Sequence, residues 1–77
     1  MKTAQKTQSD YTRDAIALFA ATIRAERKAQ KMTVKELAER SGTSRDFIFR
    51  LEKGDPSCGI GAAFEAAHIV GIDLFDM

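Results

Sequence analysis

Few side chains in this sequence are of the types that carry out catalysis or bind metal ions. His68 is the single histidine and Cys58 the single cysteine, so neither has a partner at metal-ligand or disulfide spacing. The carboxylates are dispersed along the chain. Gly59 and Gly61 do not form a phosphate-binding loop, since no strand precedes them and no Gly-Lys-Ser/Thr follows. We therefore expect no enzymatic activity, no bound metal and no cofactor.

The charged side chains are distributed unevenly. The 77 residues contain 12 Lys+Arg and 11 Asp+Glu, and the resulting net charge of +1 does not by itself indicate a nucleic-acid-binding protein. Residues 1–35 carry eight basic and three acidic side chains, whereas residues 36–77 carry four basic and eight acidic ones. This asymmetry indicates either a directed electrostatic face or two ordinary solvated helix surfaces.

Length and hydropathy limit the chain to one small domain. Residues 1–12 are polar and are predicted to form a flexible tail, and residues 13–77 are predicted to form the domain. No apolar run approaches the ~18 residues of a membrane helix, and the N-terminus lacks the apolar stretch of a secretory signal. A single cysteine fits a reducing compartment. We expect a cytoplasmic protein with no membrane contact.

Apolar periodicity and capping residues predict two N-terminal helices. The first, Asp14–Gln30, presents one inward-facing stripe at helical spacing. The second, Val34–Ser41, begins at a capping box formed by Thr33 and Glu36 and ends at Gly42, which accepts a positive φ. The inward stripe of the first helix consists of Ile16, Phe19, Ala20, Ile23 and Arg27.

Two further helices follow. Ser44 is predicted to cap a third helix, Arg45–Lys53, and a fourth helix is predicted over Ile60–Val70, ending at Gly71. The inward residues are predicted to be Ile48 and Leu51 in the third helix, and Ile60, Ala63, Phe64 and Ala67 in the fourth.

The chain ends in an apolar segment. This segment could fold back onto the core, but a chain this small cannot bury every apolar residue, which favours a homodimer interface. The residues concerned are Ile72, Leu74, Phe75 and Met77.

A short turn, Ser41–Ser44, joins the second and third helices in a helix-turn-helix pattern. The segment Met32–Gly54 resembles the helix-turn-helix of the Cro/phage-repressor (Xre-type) family, and the resemblance extends over about residues 16–75. It implies an all-α fold, a compact bundle of four to five helices of the lambda-repressor-like kind. It also implies a repressor that binds a palindromic operator in double-stranded DNA as a dimer. The matching family positions are Thr33, Leu37, Ala38, Gly42, Ser44, Ile48, Glu52 and Gly54.

The resemblance also implies which residues contact DNA. The family's base-reading positions correspond to Arg45, Asp46 and Arg50, with Phe49 beside them. Either arginine could bind a guanine bidentately, and Asp46 could accept from cytosine or orient Arg50. Phe49 could contact a thymine methyl or a protein partner. The phosphate-binding residues are expected to be Thr33, Lys35, Ser44 and Lys53.

Two other matched positions have structural consequences. Arg27 and Glu52 match a family ion pair that ties the first helix to the end of the third, so we expect this pair to orient the recognition helix. Val34 stands where many family members carry a glutamine that contacts the DNA backbone, and valine cannot make that contact.

Two alternatives remain open at this point. The link Leu51–Pro56, followed by Ile60 and Gly61, resembles the HipB-type antitoxins. That subset implies a protein-interaction module that neutralises a HipA-like kinase toxin, with or without DNA binding. The second alternative is a relative that keeps the fold but has lost DNA binding, which Val34, Asp46 and the low net charge would support.

Overall fold

The computed structural model describes residues 9–75, which form four α-helices: α1 (Asp10–Ala29), α2 (Val34–Ser41), α3 (Arg45–Glu52) and α4 (Ile60–Ile69). No strand occurs in this stretch, which confirms the predicted all-α helical bundle. No fifth helix occurs up to residue 75, and Met77 and residues 1–8 of the predicted tail lie outside the described residues. Within residues 9–75, no helix is long and apolar enough to cross a membrane.

The first helix begins four residues before the predicted start at Asp14. Ser9 is its N-cap, and the Ser9 hydroxyl accepts a hydrogen bond from the backbone N–H of Thr12 at 3.1 Å. Asp10 lies in the first turn, where a negative charge interacts favourably with the helix dipole. Residues 10–12, which the sequence assigned to the tail, are therefore helical, because this cap precedes the apolar stripe.

The predicted bounds of α2, the turn and the start of α3 are confirmed. Thr33 and Glu36 form the reciprocal capping box, in which Thr33 Oγ1 accepts from the Glu36 N–H at 3.0 Å and Glu36 accepts from the Thr33 N–H at 2.8 Å. Gly42 ends α2 with φ +72°, and Ser44 caps α3 by accepting from the N–H of Phe47 at 3.0 Å. The predicted C-terminal ends of the other three helices each lie one residue too far, since Gln30, Lys53 and Val70 are C-caps.

One hydrophobic core holds α3 from behind and leaves its opposite face in solvent. Ile48 and Leu51 are 0% and 5% exposed, whereas Phe49 between them is 51% exposed. The buried apolar residues are Ala20, Ile23, Met32, Leu37, Ala38, Ile48, Leu51, Ala63, Ala66, Ala67 and Val70.

The prediction for the inward face of α4 was wrong for Ile60 and Phe64, which are 69% and 44% exposed. This helix packs against α2 and buries an alanine face instead, formed by Ala63, Ala66 and Ala67. At about 100° per residue these alanines share one direction, and the two large side chains lie at the edge of that face. Small residues let two helices approach closely, and the larger side chains of Ile60 and Phe64 lie outside this contact.

Candidate nucleic-acid interface

The four predicted base-reading residues lie on the outward face of α3. Arg45, Asp46 and Phe49 are exposed, and Arg50 is half-buried. The helix is capped at the same end by Ser44, so the side chains of its first turn project from a well-defined N-terminus. The arrangement brings two guanidinium groups and an aromatic ring onto one exposed helix surface.

Arg50 is held by contacts within the protein. Its Nε donates to Asp46 Oδ2 at 3.2 Å, and its Nη1 lies 3.5 Å from Asp55 Oδ2. The guanidinium carbon lies 5.8 Å from the centroid of the Phe47 ring. The hydrogen bond to Asp46 raises the pKa of Arg50. The predicted contact of Asp46 with Arg50 is thus present.

Asp55 is a neighbour of the interface that the sequence interpretation did not select. It lies three residues after the end of α3, and its carboxylate accepts from the backbone N–H of Ser57 at 2.8 Å and from the Ser57 hydroxyl at 2.7 Å. The backbone hydrogen bond from Ser57 lowers the pKa of Asp55. The Asp-Pro-Ser spacing predicts this local turn, but only the fold shows that the turn places Asp55 beside Arg50.

The two predicted phosphate-binding helix N-termini differ. At the start of α2 the carboxylate of Glu36 occupies the Thr33 N–H, and that hydrogen bond lowers the pKa of Glu36, so a negative charge already sits there. Lys35 Nζ lies 4.0 Å from Glu39 Oε2, and both side chains are exposed. Ser44 caps α3 without a reciprocal carboxylate, but Asp46 lies in the first turn of α3, so a negative charge is near this N-terminus as well.

A shallow cleft beside α3 contains a further cation. Arg24 of α1 lines this cleft together with Val34, Phe49 and Lys53. Arg24 is exposed and therefore able to reach a ligand on the same side of the molecule as Lys53. It lies outside the helix-turn-helix segment Met32–Gly54, and the only sequence signal for it is its position one helical turn before Arg27. Val34 packs partly against the core, which is consistent with an apolar residue there.

Arg27 and Glu52 form a bidentate ion pair between α1 and the last residue of α3. Arg27 Nε and Nη2 donate to the two carboxylate oxygens at 2.7 and 2.9 Å, and Nη1 donates to the carbonyl oxygen of Met32 at 2.8 Å. The two side chains are only 10% and 6% exposed. The hydrogen bond to Glu52 raises the pKa of Arg27. This pair fixes the C-terminal end of α3 to the loop that precedes α2.

Three of the four predicted dimer-interface residues, Ile72, Leu74 and Phe75, line an apolar groove, and Met77 lies outside the described residues. Ile72 packs against the core and Leu74 is half-buried, whereas Phe75 is fully exposed. Phe19 and Phe64 line the same groove and contact each other edge to face, with ring centroids 6.1 Å apart. We call this region, formed by Phe19, Phe64, Ile72, Leu74 and Phe75, the apolar groove.

His68 and Cys58, the two side chains considered for catalysis, do not belong to a cluster of metal-binding side chains within residues 9–75. Within residues 9–75, no group of three or more His, Cys, Asp and Glu side chains could hold a metal ion. Burial raises the pKa of the Cys58 thiol, which lowers its reactivity.

Comparisons with known proteins agree with this geometry. The family described as helix-turn-helix matches residues 23–76. The chain is 35% identical over 52 residues to a protein of Sinorhizobium fredii (strain NBRC 101917 / NGR234) named uncharacterized HTH-type transcriptional regulator y4dL. This match covers 68% of the chain but 26% of the relative, so the chain spans about a quarter of that protein's length. No solved structure is significantly similar to the chain.

Proposed function

Because the chain belongs to the Cro/phage-repressor (Xre-type) helix-turn-helix family of transcriptional regulators, we propose that it binds a palindromic operator as a homodimer and represses transcription. The observation that carries this proposal is the outward face of α3. Ile48 and Leu51 anchor the helix from behind, so Arg45, Phe49 and Arg50 are presented to a ligand on the other side.

The residues of α3 suit major-groove recognition. In helix-turn-helix proteins the N-terminal residues of the second helix contact base edges. Arg45 lies in the first turn of α3, and an arginine there can bind O6 and N7 of guanine bidentately. Phe49 offers an exposed ring to a thymine methyl group. Ser44 and Lys53, at the two ends of the helix, are placed to hold flanking phosphates.

The apolar groove supports the dimer. Phe75 exposes its whole side chain and Phe64 is 44% exposed, and a second copy of the chain would cover both. Two recognition helices in a symmetric dimer would meet half-sites separated by one helical turn of DNA, about 34–36 Å. A monomer in analytical ultracentrifugation at tens of micromolar, with and without operator DNA, would contradict this part of the proposal.

DNA binding is tested with the duplex that lies upstream of the chain's own gene. Fluorescence anisotropy at several stated salt concentrations should give at least about 10³-fold tighter binding to this duplex than to scrambled DNA. Arg45→Ala should lower the ratio of the affinity for this duplex to that for scrambled DNA, and Lys53→Ala should weaken binding to both DNAs equally. Arg13→Ala, in the first turn of α1, is the matched cation control and should leave the ratio unchanged. Equal affinity of the unmodified protein for both DNAs would reject sequence-specific binding and favour a relative that keeps only the fold.

A toxin partner is the second candidate function. It is supported by the exposed large apolar side chains outside α3, including Ile60 and Phe75, which a protein partner could cover. The experiment is co-expression with a kinase-like toxin encoded beside this gene, followed by size-exclusion chromatography. A stable complex that forms without DNA would support an antitoxin, and separate elution of the two proteins would reject it.

A further inference from the structure

The guanidinium of Arg50 is held between two carboxylates. Asp46 contacts Nε from one turn earlier in α3, and Asp55 contacts Nη1 from the loop after α3. The side chains of Asp46 and Asp55 are 82% and 31% exposed, so the loop aspartate is the better buried of the two. Phe47 lies beside the guanidinium and further limits its movement.

Asp55 is itself fixed at several atoms. Its backbone N–H donates to the carbonyl oxygen of Arg50 at 3.0 Å, which closes the end of α3. Its carboxylate accepts from both the N–H and the hydroxyl of Ser57. A carboxylate restrained in this way loses little further conformational freedom on contacting Arg50, unlike the solvent-exposed Asp46.

Counting donors shows what remains for DNA. A guanidinium has five N–H groups in one plane. Asp46 takes the one on Nε, and Asp55 faces one of the two on Nη1. Within residues 9–75, Nη2 donates no hydrogen bond, and one N–H of Nη1 is left for a second acceptor. The tip of the fork can bind the O6 and N7 atoms of a guanine, whereas the Nε edge is closed.

The local charge indicates that this arginine is suited to a base and not to a phosphate. Asp46, Arg50 and Asp55 together carry a formal charge of −1. A phosphate at the guanidinium would therefore lie close to two carboxylates, which is unfavourable. A neutral guanine edge meets no such repulsion.

We propose that Asp55 is a positioning residue that holds Arg50 for end-on recognition of guanine and excludes phosphate from it. This inference rests on the proposed function, since it requires an operator. It assigns to the loop after α3 a part in base selection, although the loop itself makes no base contact.

The test uses the upstream duplex with single guanines replaced by 7-deazaguanine, which lacks the N7 acceptor. For the unmodified protein, one replacement in each half-site removes one of the two hydrogen bonds from each of two bidentate pairs, so binding should weaken about 5- to 150-fold, the range expected for two half-pairs together. Arg50→Ala should abolish that penalty, which identifies the guanine. Asp55→Asn keeps an oxygen for Ser57 but loses the charge, and it should reduce the penalty several-fold while scrambled DNA binds equally or more tightly.

Controls separate positioning from folding and from the proposed function. Asp14→Asn removes the same charge from the exposed face of α1 and should leave the guanine penalty unchanged. Ser57→Ala removes the hydroxyl hydrogen bond to Asp55 but keeps the backbone one, so it should reduce the penalty less than Asp55→Asn does, with circular dichroism confirming the folded state of both variants. If Asp55→Asn and Ser57→Ala both keep the full 7-deazaguanine penalty, the inference about Asp55 is overturned and the proposed function still stands. Equal binding of the unmodified protein to operator and scrambled DNA would overturn the proposed function and the inference with it.

Discussion

Replacing Arg27 with alanine should destabilise this domain more than any exposed substitution. The change removes three hydrogen bonds, two to the Glu52 carboxylate and one to the Met32 carbonyl oxygen. It leaves a carboxylate that is only 6% exposed without its counter-charge. Truncating one partner of a buried ion pair costs about 3–5 kcal/mol, because the remaining charge keeps its desolvation penalty. An exposed pair would cost only about 0–1 kcal/mol.

This loss is large against the stability expected for the chain. At about 0.05–0.15 kcal/mol per residue, 77 residues give a free energy of unfolding of about 4–12 kcal/mol. A change of 1 kcal/mol shifts the melting temperature of a domain of this size by about 4–8 °C. Arg27→Ala should therefore lower the melting temperature by at least about 12 °C.

Thermal and urea unfolding followed by circular dichroism measure this change. Arg24→Ala is the matched control, since Arg24 lies one turn earlier on α1 and is exposed, and it should change stability by no more than about 0.5 kcal/mol. Combining Arg27→Met with Glu52→Leu removes both charges, and the double variant should recover most of the loss. A loss below about 1 kcal/mol for Arg27→Ala would show that the pair is hydrated in solution and would refute the argument.

Three further changes test the turn, the cap and the core. Gly42→Ala should lower the free energy of unfolding in urea by about 1–2 kcal/mol, because an alanine at φ +72° is strained. An added Cβ meets no atom within 4 Å there, so the backbone conformation alone causes this loss. Gly61→Ala inside α4 should instead raise the free energy of unfolding by about 0.5–1 kcal/mol. Thr33→Ala should cost about 1 kcal/mol at pH 7, and a value near zero would contradict the role of the capping box. Because folding lowers the pKa of Glu36, its charge contributes to stability above the ordinary pKa of about 4.3, and this contribution is lost as the pH falls through the folded-state pKa. The melting temperatures of Glu36→Gln and the unmodified protein should therefore converge in acid. Ile23→Ala, at a fully buried position, should cost about 2–5 kcal/mol, and a smaller loss would indicate that the core collapses around the cavity.

Local signals predicted the helix-turn-helix closely. The Thr33 capping box, the positive φ of Gly42 and the Ser44 cap depend on residues at most three positions apart, so their chemistry can be read directly from the sequence. The start of α1 depends on an equally local signal, the cap formed by Ser9. The apolar stripe, which begins only at Ile16, predicts a later start than this cap does.

Features that depend on tertiary packing could not be predicted in the same way. Hydrophobicity assigned Ile60 and Phe64 to the core, but the close contact between α2 and α4 accommodates only small side chains there. The contact between Arg50 and Asp55 depends on the direction in which the chain leaves α3. Arg27 and Glu52 are 25 residues apart in the sequence, and only the resemblance to a family predicted that they pair.

The net charge of the whole chain is a poor measure of the surface proposed to face DNA. Arg27 and Arg50 are each paired with a carboxylate of the same chain, so they add little to the external field. Among residues 9–75, Arg24, Arg45 and Lys53 have no ion-pair partner within 4.0 Å, and they border the outer face of α3. Local potential, not total charge, governs the approach of a polyanion. The salt dependence of operator binding should therefore include a slope of about 0.9 for each of Arg24 and Lys53 that meets a phosphate, whereas Arg45 is proposed to contact a base.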